Sequence, residues 1–383
     1  MPLRALARVN IAAIERNVAR LRGGLAGGAQ LAAVVKGNGY GHGPLPTARA
    51  ALAGGARSLA VATAGEAAEL RDGGVQAAVL VMGALSGEEL PVALAAGAEV
   101  VAWSEQFVDA VRGAARGGAS GSGSAVPIRV HVKLDTGMGR LGTRDPEEAI
   151  RVAGAVAAAA PALELAGAMT HFASADEDPG FTATQLERFS PFVAAMRERW
   201  PGIAVHAANS AATLREPASH FDLVRCGIAI YGCDPMNQDP APHGLEPALE
   251  LTSYVATVKL AHAGDSTGYG RRFIAAGDTS IATVPIGYGD GIRRGLTNNC
   301  DVLIGGRRYP LVGTVSMDNI TVELGPSAAE VRSGDRVTII GADGEARQTA
   351  EDVARRIGTI NYEILCGITP RVTRVYHRDG APV

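Results

Sequence analysis

A single lysine, Lys36, ends the apolar segment AAVV and is followed at once by the glycine-rich segment GNGYGHG at positions 37–43. A lysine amine is a nucleophile that forms a Schiff base with an aldehyde or ketone. The glycines would let the backbone approach a bound ligand closely. Taken alone, the pattern equally fits a lysine whose stem is buried and whose charged end lies in water. The other polar residues of the chain must therefore decide whether Lys36 is reactive.

Short apolar, β-branched runs recur through the first part of the chain. There are eight of them, at positions 30–35, 58–63, 77–82, 99–104, 128–135, 163–172, 203–210 and 223–232. Alanine-rich stretches with helical spacing separate them, as in DPEEAIRVAGAVAAA, where Asp145 is a candidate N-cap and Pro146 the first helical residue. Strands and helices that alternate in this way are typical of a (β/α)8 barrel, although an open doubly wound sheet has the same alternation.

The polar residues at the ends of these runs would gather at one rim of a barrel, where the catalytic groups of this fold lie. They are Lys36 and Tyr40; Lys133, Asp135 and Arg140; His171; Asn209 and Ser210; and Arg225, Gly227 and Ile228. Ser210 begins a helical segment, and backbone N–H groups follow Gly227, so this part of the rim could bind a phosphate. An amine on the first strand and a phosphate site on the last two is the arrangement of a barrel that binds pyridoxal phosphate (PLP).

After about residue 240 the pattern of the sequence changes. Segments such as PALELTSYVATVKL and CDVLIGGRRYPLVGTVSMDNITVEL alternate apolar and polar residues, and the dipeptides GG and DG mark hairpin turns. The segment TAEDVARRIG opens with a Thr-x-x-Asp capping pattern and ends at a glycine, which predicts a short helix. A separate, mainly β domain is therefore expected. The segment GGASGSGS, at positions 117–124, predicts a surface loop within the barrel half.

Composition favours a small-molecule partner. The chain has 383 residues, 47% of them apolar, and a formal net charge of −3 without a long basic run, which argues against nucleic acid or an anionic membrane as partner. The N-terminal segment has no signal-peptide core, and no apolar run approaches the roughly 20 residues of a membrane span, so a cytoplasmic location is expected. The four cysteines are too unevenly spaced for a disulfide framework or a zinc site and are expected to be buried thiols, and no metal is predicted.

The chain resembles the bacterial alanine racemases almost from end to end. The motifs that carry the resemblance are AVVKGNGYGHG, KLDTGMGRLG, THFASADE, HAANSAA, VRCGIAIYG, GYGRRF, IGYGDG, VGTVSMDN and TINYEILCGITPRV, in the order of that family. The resemblance implies a PLP-binding (β/α)8 barrel at positions 1–240 and a C-terminal β domain at 241–383, on which the first few residues would pack. It also implies an isomerase that interconverts L-alanine and D-alanine and supplies D-alanine for peptidoglycan.

The resemblance assigns two acid/base residues to the reaction. Lys36 would bind the cofactor aldehyde as a Schiff base and later act on one face of the substrate Cα, and Tyr269 would act on the opposite face. Racemisation needs two bases, because a single base returns the proton to the face it left. A phenol has an unperturbed pKa of about 10, so Tyr269 would need a polar network through His171 and Arg225 in order to ionise.

Other positions match binding residues of the family. Arg225 would face the pyridine nitrogen and keep it unprotonated, and His206 either joins the same network or is a core histidine. Arg140 would hold the substrate carboxylate, and Lys133 would be either carbamylated, so that it orients Arg140, or an ordinary salt-bridging lysine. The remaining cofactor contacts would be Tyr40, His171, Ser210, Gly227, Ile228 and Tyr362, and the remaining substrate contacts Met317 and Tyr288.

The resemblance further implies a homodimer with shared active sites, in which Tyr269, Tyr288 and Met317 come from the second subunit. Thr314 stands where the family usually carries arginine near the substrate entrance, which leaves a broad-specificity racemase that also accepts serine as an alternative. A non-catalytic PLP carrier would lack the β domain and Tyr269. A barrel-type decarboxylase would place an acidic residue, not Arg225, against the pyridine nitrogen.

Overall fold

The computed structural model describes residues 4–118, 126–326 and 330–383. The chain divides into two units. One unit, the barrel unit, comprises Glu15–Gly39 and Pro44–Ile230, and the other, the β unit, comprises Tyr231–Val383, Tyr40–Gly43 and the chain up to Ile14. Positions 117 and 118 of the predicted surface loop end a helix, and the rest of that loop lies outside the described residues.

Eight parallel strands form the sheet of the barrel unit. Numbered along the chain after β1 (Leu6–Asn10) of the β unit, they are β2 (Gln30–Val34), β3 (Ser58–Val61), β4 (Val79–Val81), β5 (Glu99–Ala102), β6 (Ile128–Lys133), β7 (Leu163–Met169), β8 (Ala204–His206) and β9 (Leu223–Cys226). They pair in the order β8-β7-β6-β5-β4-β3-β2-β9. Two backbone hydrogen bonds, from Asp222 to Val205 (3.0 Å) and from Arg225 to Ala208 (2.9 Å), join the β8 and β9 ends. The sheet is thus a nearly closed barrel, and the predicted fold class is confirmed.

A helix precedes β2 and a helix follows each strand from β2 to β8. Their bounds are Ile11–Gly23, Pro44–Ala53, Ala64–Asp72, Glu89–Ala95, Glu105–Gly118, Pro146–Ala158, Pro179–Arg199 and Ser210–Arg215. The predicted cap forms, because the Asp145 carboxylate accepts a hydrogen bond of 2.9 Å from the backbone N–H of Glu147. The helix Pro179–Arg199 continues through Pro191. The polar residues at the strand ends therefore lie at or near the loops that connect each strand to the following helix.

The β unit is built on one large mixed sheet. Its further strands are β10 (Leu249–Tyr254), β11 (Thr257–Ala261), β12 (Ser266–Thr267), β13 (Phe273–Ile274), β14 (Thr279–Val284), β15 (Cys300–Ile304), β16 (Arg307–Val312), β17 (Ile320–Gly325), β18 (Arg336–Asp343), β19 (Ala346–Gln348), β20 (Thr373–Arg378) and β21 (Ala381–Pro382). The sheet order is β11-β14-β17-β16-β15-β18-β10-β1-β20-β21, with β19 paired to β18 and a separate β12-β13 pair. The N-terminal strand β1 therefore lies between β10 and β20 of this sheet.

Local sequence signals explain the connections of the β unit. The GG dipeptide between β15 and β16 has φ values of 58° and 77°, which a glycine adopts without strain in a tight hairpin. The helix Ala350–Arg356 begins with the predicted capping box, in which Thr349 and Asp352 exchange hydrogen bonds. A second helix spans Asn361–Cys366. Short 3-10 helices cover Ala241–His243, Tyr269–Arg271, Tyr288–Asp290 and Arg294–Leu296 in this unit, Pro217–Ser219 in the barrel unit, and Ile228–Tyr231 where the two meet along the chain.

The cysteines form no disulfide, and three of them, Cys226, Cys233 and Cys300, are buried. Cys366 is exposed, which corrects the expectation that all four thiols are buried. Among the described residues, no helix has the length and apolar character needed to cross a membrane.

Candidate active site

Lys36 follows β2 after a single residue, Val35, and lies at the start of an unusual left-handed turn. Gly37, Asn38 and Gly39 have φ values of 62°, 56° and 58°, in the region that glycine and asparagine tolerate best. Glu66 anchors this turn to the helix Ala64–Asp72, which follows β3, because its Oε1 accepts a hydrogen bond of 2.7 Å from the Gly37 backbone N–H. The turn thus ends β2 abruptly and leaves the half-buried Lys36 at the rim.

A buried arginine, Arg225, organises the interior of this rim. Its Nη1 donates to His206 Nδ1 (2.7 Å), and its Nη2 donates to the carbonyls of Thr170 (2.8 Å) and Ala207 (2.9 Å) and lies 3.1 Å from His171 Nδ1. Arg225 is only 2% exposed, and its Nε is buried with no hydrogen-bond partner among the described residues. A buried charged group with one unsatisfied N–H is costly unless something else accepts that bond.

Several cations share the site with Arg225. Burial, followed by the charges of Arg225 and Arg140, lowers the pKa of Lys133 to about 8, although the charge of Asp135 opposes this shift. Burial, followed by the charges of Arg225 and Lys133, holds the pKa of His171 well below its usual value. His171 is therefore neutral at physiological pH, and Lys133 exists partly as the free amine.

The loop after β6 is shaped by Asp135. Burial raises the pKa of this carboxyl, but hydrogen bonds from the backbone N–H groups of Gly139 and Gly137, and from Arg144, lower it overall. The bonds from Gly137 and Gly139 measure 3.1 and 2.9 Å. Arg140 follows this loop, is exposed and forms no salt bridge with the described residues. Its guanidinium is thus available for a carboxylate ligand.

The predicted phosphate residues fall into two groups. In the barrel unit, Ser210 Oγ accepts hydrogen bonds from the backbone N–H groups of Gly227 (2.9 Å) and Ala229 (3.4 Å), with Ile228 between them. Asn209 caps the helix Ser210–Arg215 through the Ala212 N–H (3.0 Å). In the β unit, the ring of Tyr40 lies 6.0 Å from that of Tyr362, centroid to centroid.

The predicted residues of the β domain are exposed. Tyr269 is 75% exposed, Met317 51% and Tyr288 43%. Tyr269 begins a 3-10 helix between glycines 268 and 270, whose φ values are 77° and 70°, and its carbonyl accepts a hydrogen bond of 2.6 Å from Thr314 Oγ1. Tyr269 and Thr314 both line a cavity of about 400 Å³. All three side chains are thus accessible from outside their own chain.

Sequence reasoning missed the residues behind Arg225. His131 Nδ1 lies 2.9 Å from His206 Nε2. The other ring nitrogen, His131 Nε2, lies 2.7 Å from Glu99 Oε2. One signal was available: His131 is two residues before Lys133 in β6, so both side chains project from the same face of that strand. Nothing in the sequence indicates the partner Glu99, which starts another strand.

Known proteins resemble the chain over its whole length. Residues 9–235 match the family model for the alanine racemase N-terminal domain, and residues 248–376 match that for the C-terminal domain. Alanine racemase 1 of Bacillus subtilis (strain 168) is 39% identical over 98% of this chain and 93% of its own. Alanine racemase of Mycobacterium tuberculosis (strain ATCC 25618 / H37Rv) is 41% identical over 98% of this chain and 96% of its own.

Solved structures agree with the sequence relatives. The crystal structure of alanine racemase from D-cycloserine-producing Streptomyces lavendulae superposes with a TM-score of 0.91 at 38% identity and covers 98% of each chain. That of alanine racemase from Bacillus anthracis with bound L-Ala-P gives a TM-score of 0.89 at 38% identity, over 99% of this chain and 96% of the other. With both family domains matched in order and relatives near 40% identity over almost every residue, the chain belongs to the alanine racemase family.

Proposed function

We propose that this chain catalyses the PLP-dependent interconversion of L-alanine and D-alanine. The observation that carries the proposal is the unpartnered Nε–H of the buried Arg225. Both Nη atoms of this guanidinium are engaged by protein acceptors, whereas Nε is the one nitrogen of the group without an acceptor among the described residues. A pyridine nitrogen is such an acceptor, and an arginine, which stays protonated, would keep that nitrogen unprotonated.

The residues present fit PLP. Lys36 supplies an amine for the aldehyde. Ser210 Oγ already accepts bonds from Gly227 and Ala229, so its own O–H remains to donate to a phosphate oxygen, and Ile228, Tyr40 and Tyr362 complete the proposed phosphate contacts. When bound, PLP supplies the electron sink that stabilises negative charge on the substrate Cα.

The chain's own residues would move the proton. Lys36 and Tyr269 would act on opposite faces of Cα, one removing the proton while the other delivers one. Tyr269 is 75% exposed within its own chain, and a base surrounded by water cannot hold a defined position against a substrate. We therefore propose that Tyr269, together with Tyr288 and Met317, acts in the active site of a second subunit, and that the working form is a homodimer with domains near 1–240 and 241–383.

Arg140 and Lys133 would bind the substrate carboxylate. Arg140 has the forked donors that match a carboxylate, and it is exposed and forms no ion pair with an acidic side chain in the described part of the chain. Lys133, with a pKa lowered to about 8, carries free amine at neutral pH, which is the form that combines with CO₂ to give a carbamate and a released proton. The product carries a negative charge among Arg225, Arg140 and Lys36, and it could therefore orient Arg140.

Lys133→Ala should lower kcat/KM for alanine by about 10- to 100-fold, because Arg140 loses the anion that orients it. Acetate added to the variant should restore part of this activity by supplying a carboxylate. The matched control is Lys133→Arg, which retains the positive charge and cannot form a carbamate. If Lys133→Arg is as active as the wild type and acetate has no effect on Lys133→Ala, Lys133 is an ordinary cation.

The direct test of the activity is incubation of the purified, PLP-loaded protein with L-alanine, followed by chiral chromatography. D-alanine should accumulate until the two enantiomers are equal. Absence of D-alanine from a protein that retains bound PLP would mean that another amino acid is the substrate or that the chain only carries the cofactor. We also propose a cytoplasmic location and a supply of D-alanine to peptidoglycan, since reduced thiols such as Cys226, Cys233 and Cys300 fit a reducing compartment.

One observation favours some activity on serine. Thr314, with no charge, lines the same cavity of about 400 Å³ as Tyr269. We expect L-serine to be racemised at a lower kcat/KM than L-alanine, and Thr314→Arg to reduce the serine rate more than the alanine rate. Chiral chromatography of both substrates with both proteins measures this, and no D-serine from the wild type would make the enzyme strict for alanine.

A further inference from the structure

A continuous line of side chains runs through the barrel interior from Arg225 to Glu99. Its three links are Arg225 Nη1 to His206 Nδ1 (2.7 Å), His206 Nε2 to His131 Nδ1 (2.9 Å), and His131 Nε2 to Glu99 Oε2 (2.7 Å). We call these four residues the histidine relay. Arg225 and His206 lie near the C-terminal ends of β9 and β8, whereas Glu99 is the first residue of β5. The relay therefore connects the two ends of the barrel.

The direction of every hydrogen bond in the relay is fixed by Arg225. A guanidinium only donates, so His206 Nδ1 must be an acceptor and the single proton of His206 must sit on Nε2. His206 Nε2–H then donates to His131 Nδ1, which leaves the proton of His131 on Nε2, where it donates to Glu99. A second proton on either ring would place two N–H groups against each other. Both histidines are therefore neutral, each in one tautomer.

The far end of the relay is held by charge. Glu99 Oε1 accepts a hydrogen bond of 2.7 Å from Arg129 Nε, and Arg129 also pairs with Glu164. Burial raises the pKa of Glu99, but the hydrogen bonds from His131 and Arg129 lower it overall, so this carboxyl is ionised. An ionised carboxylate only accepts, which agrees with a proton on His131 Nε2.

The space for the relay depends on a glycine in β7. A Cβ atom at Gly167 would lie 2.4 Å from His131 Nδ1 and 2.6 Å from the Ala204 carbonyl oxygen. The φ of Gly167 is not positive, so backbone conformation does not require glycine here. What requires it is the close approach of two groups, the His131 ring that bonds to His206 and the backbone carbonyl of Ala204.

We propose that Glu99 and His131 are positioning residues for Arg225: they hold His206 as a neutral acceptor and thereby fix the guanidinium with its Nε–H directed into the active site. Without Glu99, His131 can move its proton to Nδ1, which forces His206 Nε2 to accept and His206 Nδ1 to carry a proton. That proton would face the guanidinium, and Arg225 would have to turn. The inference concerns the orientation of Arg225, and only its kinetic consequence rests on the proposed function.

The test compares two carboxylates that bind the same arginine. Glu99→Met removes the acceptor for His131 in a side chain of similar size, whereas Glu164→Met removes the other partner of Arg129 and leaves His131 untouched. The readout is the ¹⁵N NMR spectrum of the histidine rings in the holoenzyme, which distinguishes the two tautomers. Glu99→Met should convert the single Nε2–H tautomers of His131 and His206 into mixtures, Glu164→Met should not, and Glu99→Gln, which retains an oxygen acceptor, should largely restore the wild-type spectrum.

Kinetics give an independent readout. We expect Glu99→Met to lower kcat for alanine about tenfold with little change in KM, as seen when a hydrogen-bond partner behind an active-site ligand is lost, and Glu164→Met to leave kcat unchanged. If Glu99→Met does not fold, His131→Leu removes the acceptor for His206 and makes the same predictions for the His206 ring. Unchanged His206 tautomers in these variants would overturn the proposal. Altered tautomers in a protein whose wild type makes no D-alanine would instead overturn the proposed function.

Discussion

Mixing Lys36→Ala subunits with Tyr269→Phe subunits should restore racemisation that neither variant performs alone. Each single variant lacks one of the two proposed acid/base groups. The kcat of each should therefore fall about 10²- to 10⁴-fold below that of the wild type, which is the usual contribution of a positioned acid or base. If Tyr269 serves the partner subunit, a mixed dimer contains one site with an intact Lys36 and an intact Tyr269, and a second site with neither.

The size of the recovery follows from symmetry. Random reassociation of equal amounts makes about half of the dimers mixed, and each mixed dimer has one of its two sites complete, so activity should return to about a quarter of wild type. The measurement is D-alanine formation after the two proteins are dissociated together and reassociated. Without exchange of subunits the activity should stay at the level of the single variants.

A matched mixture separates this result from a general effect of mixing. Lys36→Ala and Arg140→Ala both change the barrel unit, so no arrangement of these two subunits creates a complete site, and no recovery is expected. Tyr309→Phe, which removes a phenol hydroxyl elsewhere in the β unit, should remain as active as the wild type. Failure of the Lys36→Ala and Tyr269→Phe pair to complement would mean that Tyr269 acts within its own chain or not at all.

Arg225→Glu should change which product the enzyme makes. A carboxyl group facing the pyridine nitrogen would favour its protonation, and a protonated ring withdraws electrons more strongly. The negative charge formed on loss of the Cα proton would then last longer and could be protonated at another carbon, so that the amino group stays on the cofactor and pyruvate is released. We expect kcat for racemisation to fall at least about 10²-fold and the ratio of pyruvate to D-alanine to rise.

Pyruvate is measured with a coupled lactate dehydrogenase assay alongside chiral chromatography. Arg225→Lys is the control, because it retains a positive charge but its single nitrogen cannot donate from the two separate positions of Nη1 and Nη2 that serve His206, Thr170 and Ala207. It should racemise slowly without releasing more pyruvate. If Arg225→Glu binds PLP and makes no more pyruvate per D-alanine than the wild type, Arg225 does not control the charge of the ring.

Much of the barrel could be predicted because its strands are short and apolar and end in polar residues. All eight predicted runs contain a strand of the barrel sheet, and Lys36 directly follows the first. The sequence gives no sign of which side chains will contact each other when they are far apart along the chain. Glu66 anchors the turn after Lys36 from 29 residues away, and Glu99 reaches His131 across 32 residues, since both contacts depend on how neighbouring strands align.

The residues around Tyr40 show a second limit. Tyr40 follows Lys36 by four residues, and local reasoning groups the two at one strand end. The structure assigns the segment Tyr40–Gly43 to the β unit, where a Cβ at Gly41 would meet the Leu365 carbonyl at 2.2 Å and the ring of Tyr40 neighbours that of Tyr231 at 5.0 Å. The left-handed turn at positions 37–39 redirects the chain here. The amino-acid composition of this segment does not distinguish such a turn from a flexible glycine loop.

The histidine relay alters what can safely be engineered in this barrel. In (β/α)8 enzymes the N-terminal ends of the strands are normally the part that supports stability, while chemistry depends on the opposite end. Here Glu99 is the first residue of β5 and Arg129 the second residue of β6. Arg129 bonds to Glu99, and Glu99 is linked to Arg225 through the two histidines of the relay. A thermostability design that optimises charges at that end, or that fills space beside His131 by placing a larger residue at Gly167, would therefore also change the orientation of Arg225 at the opposite end of the strands.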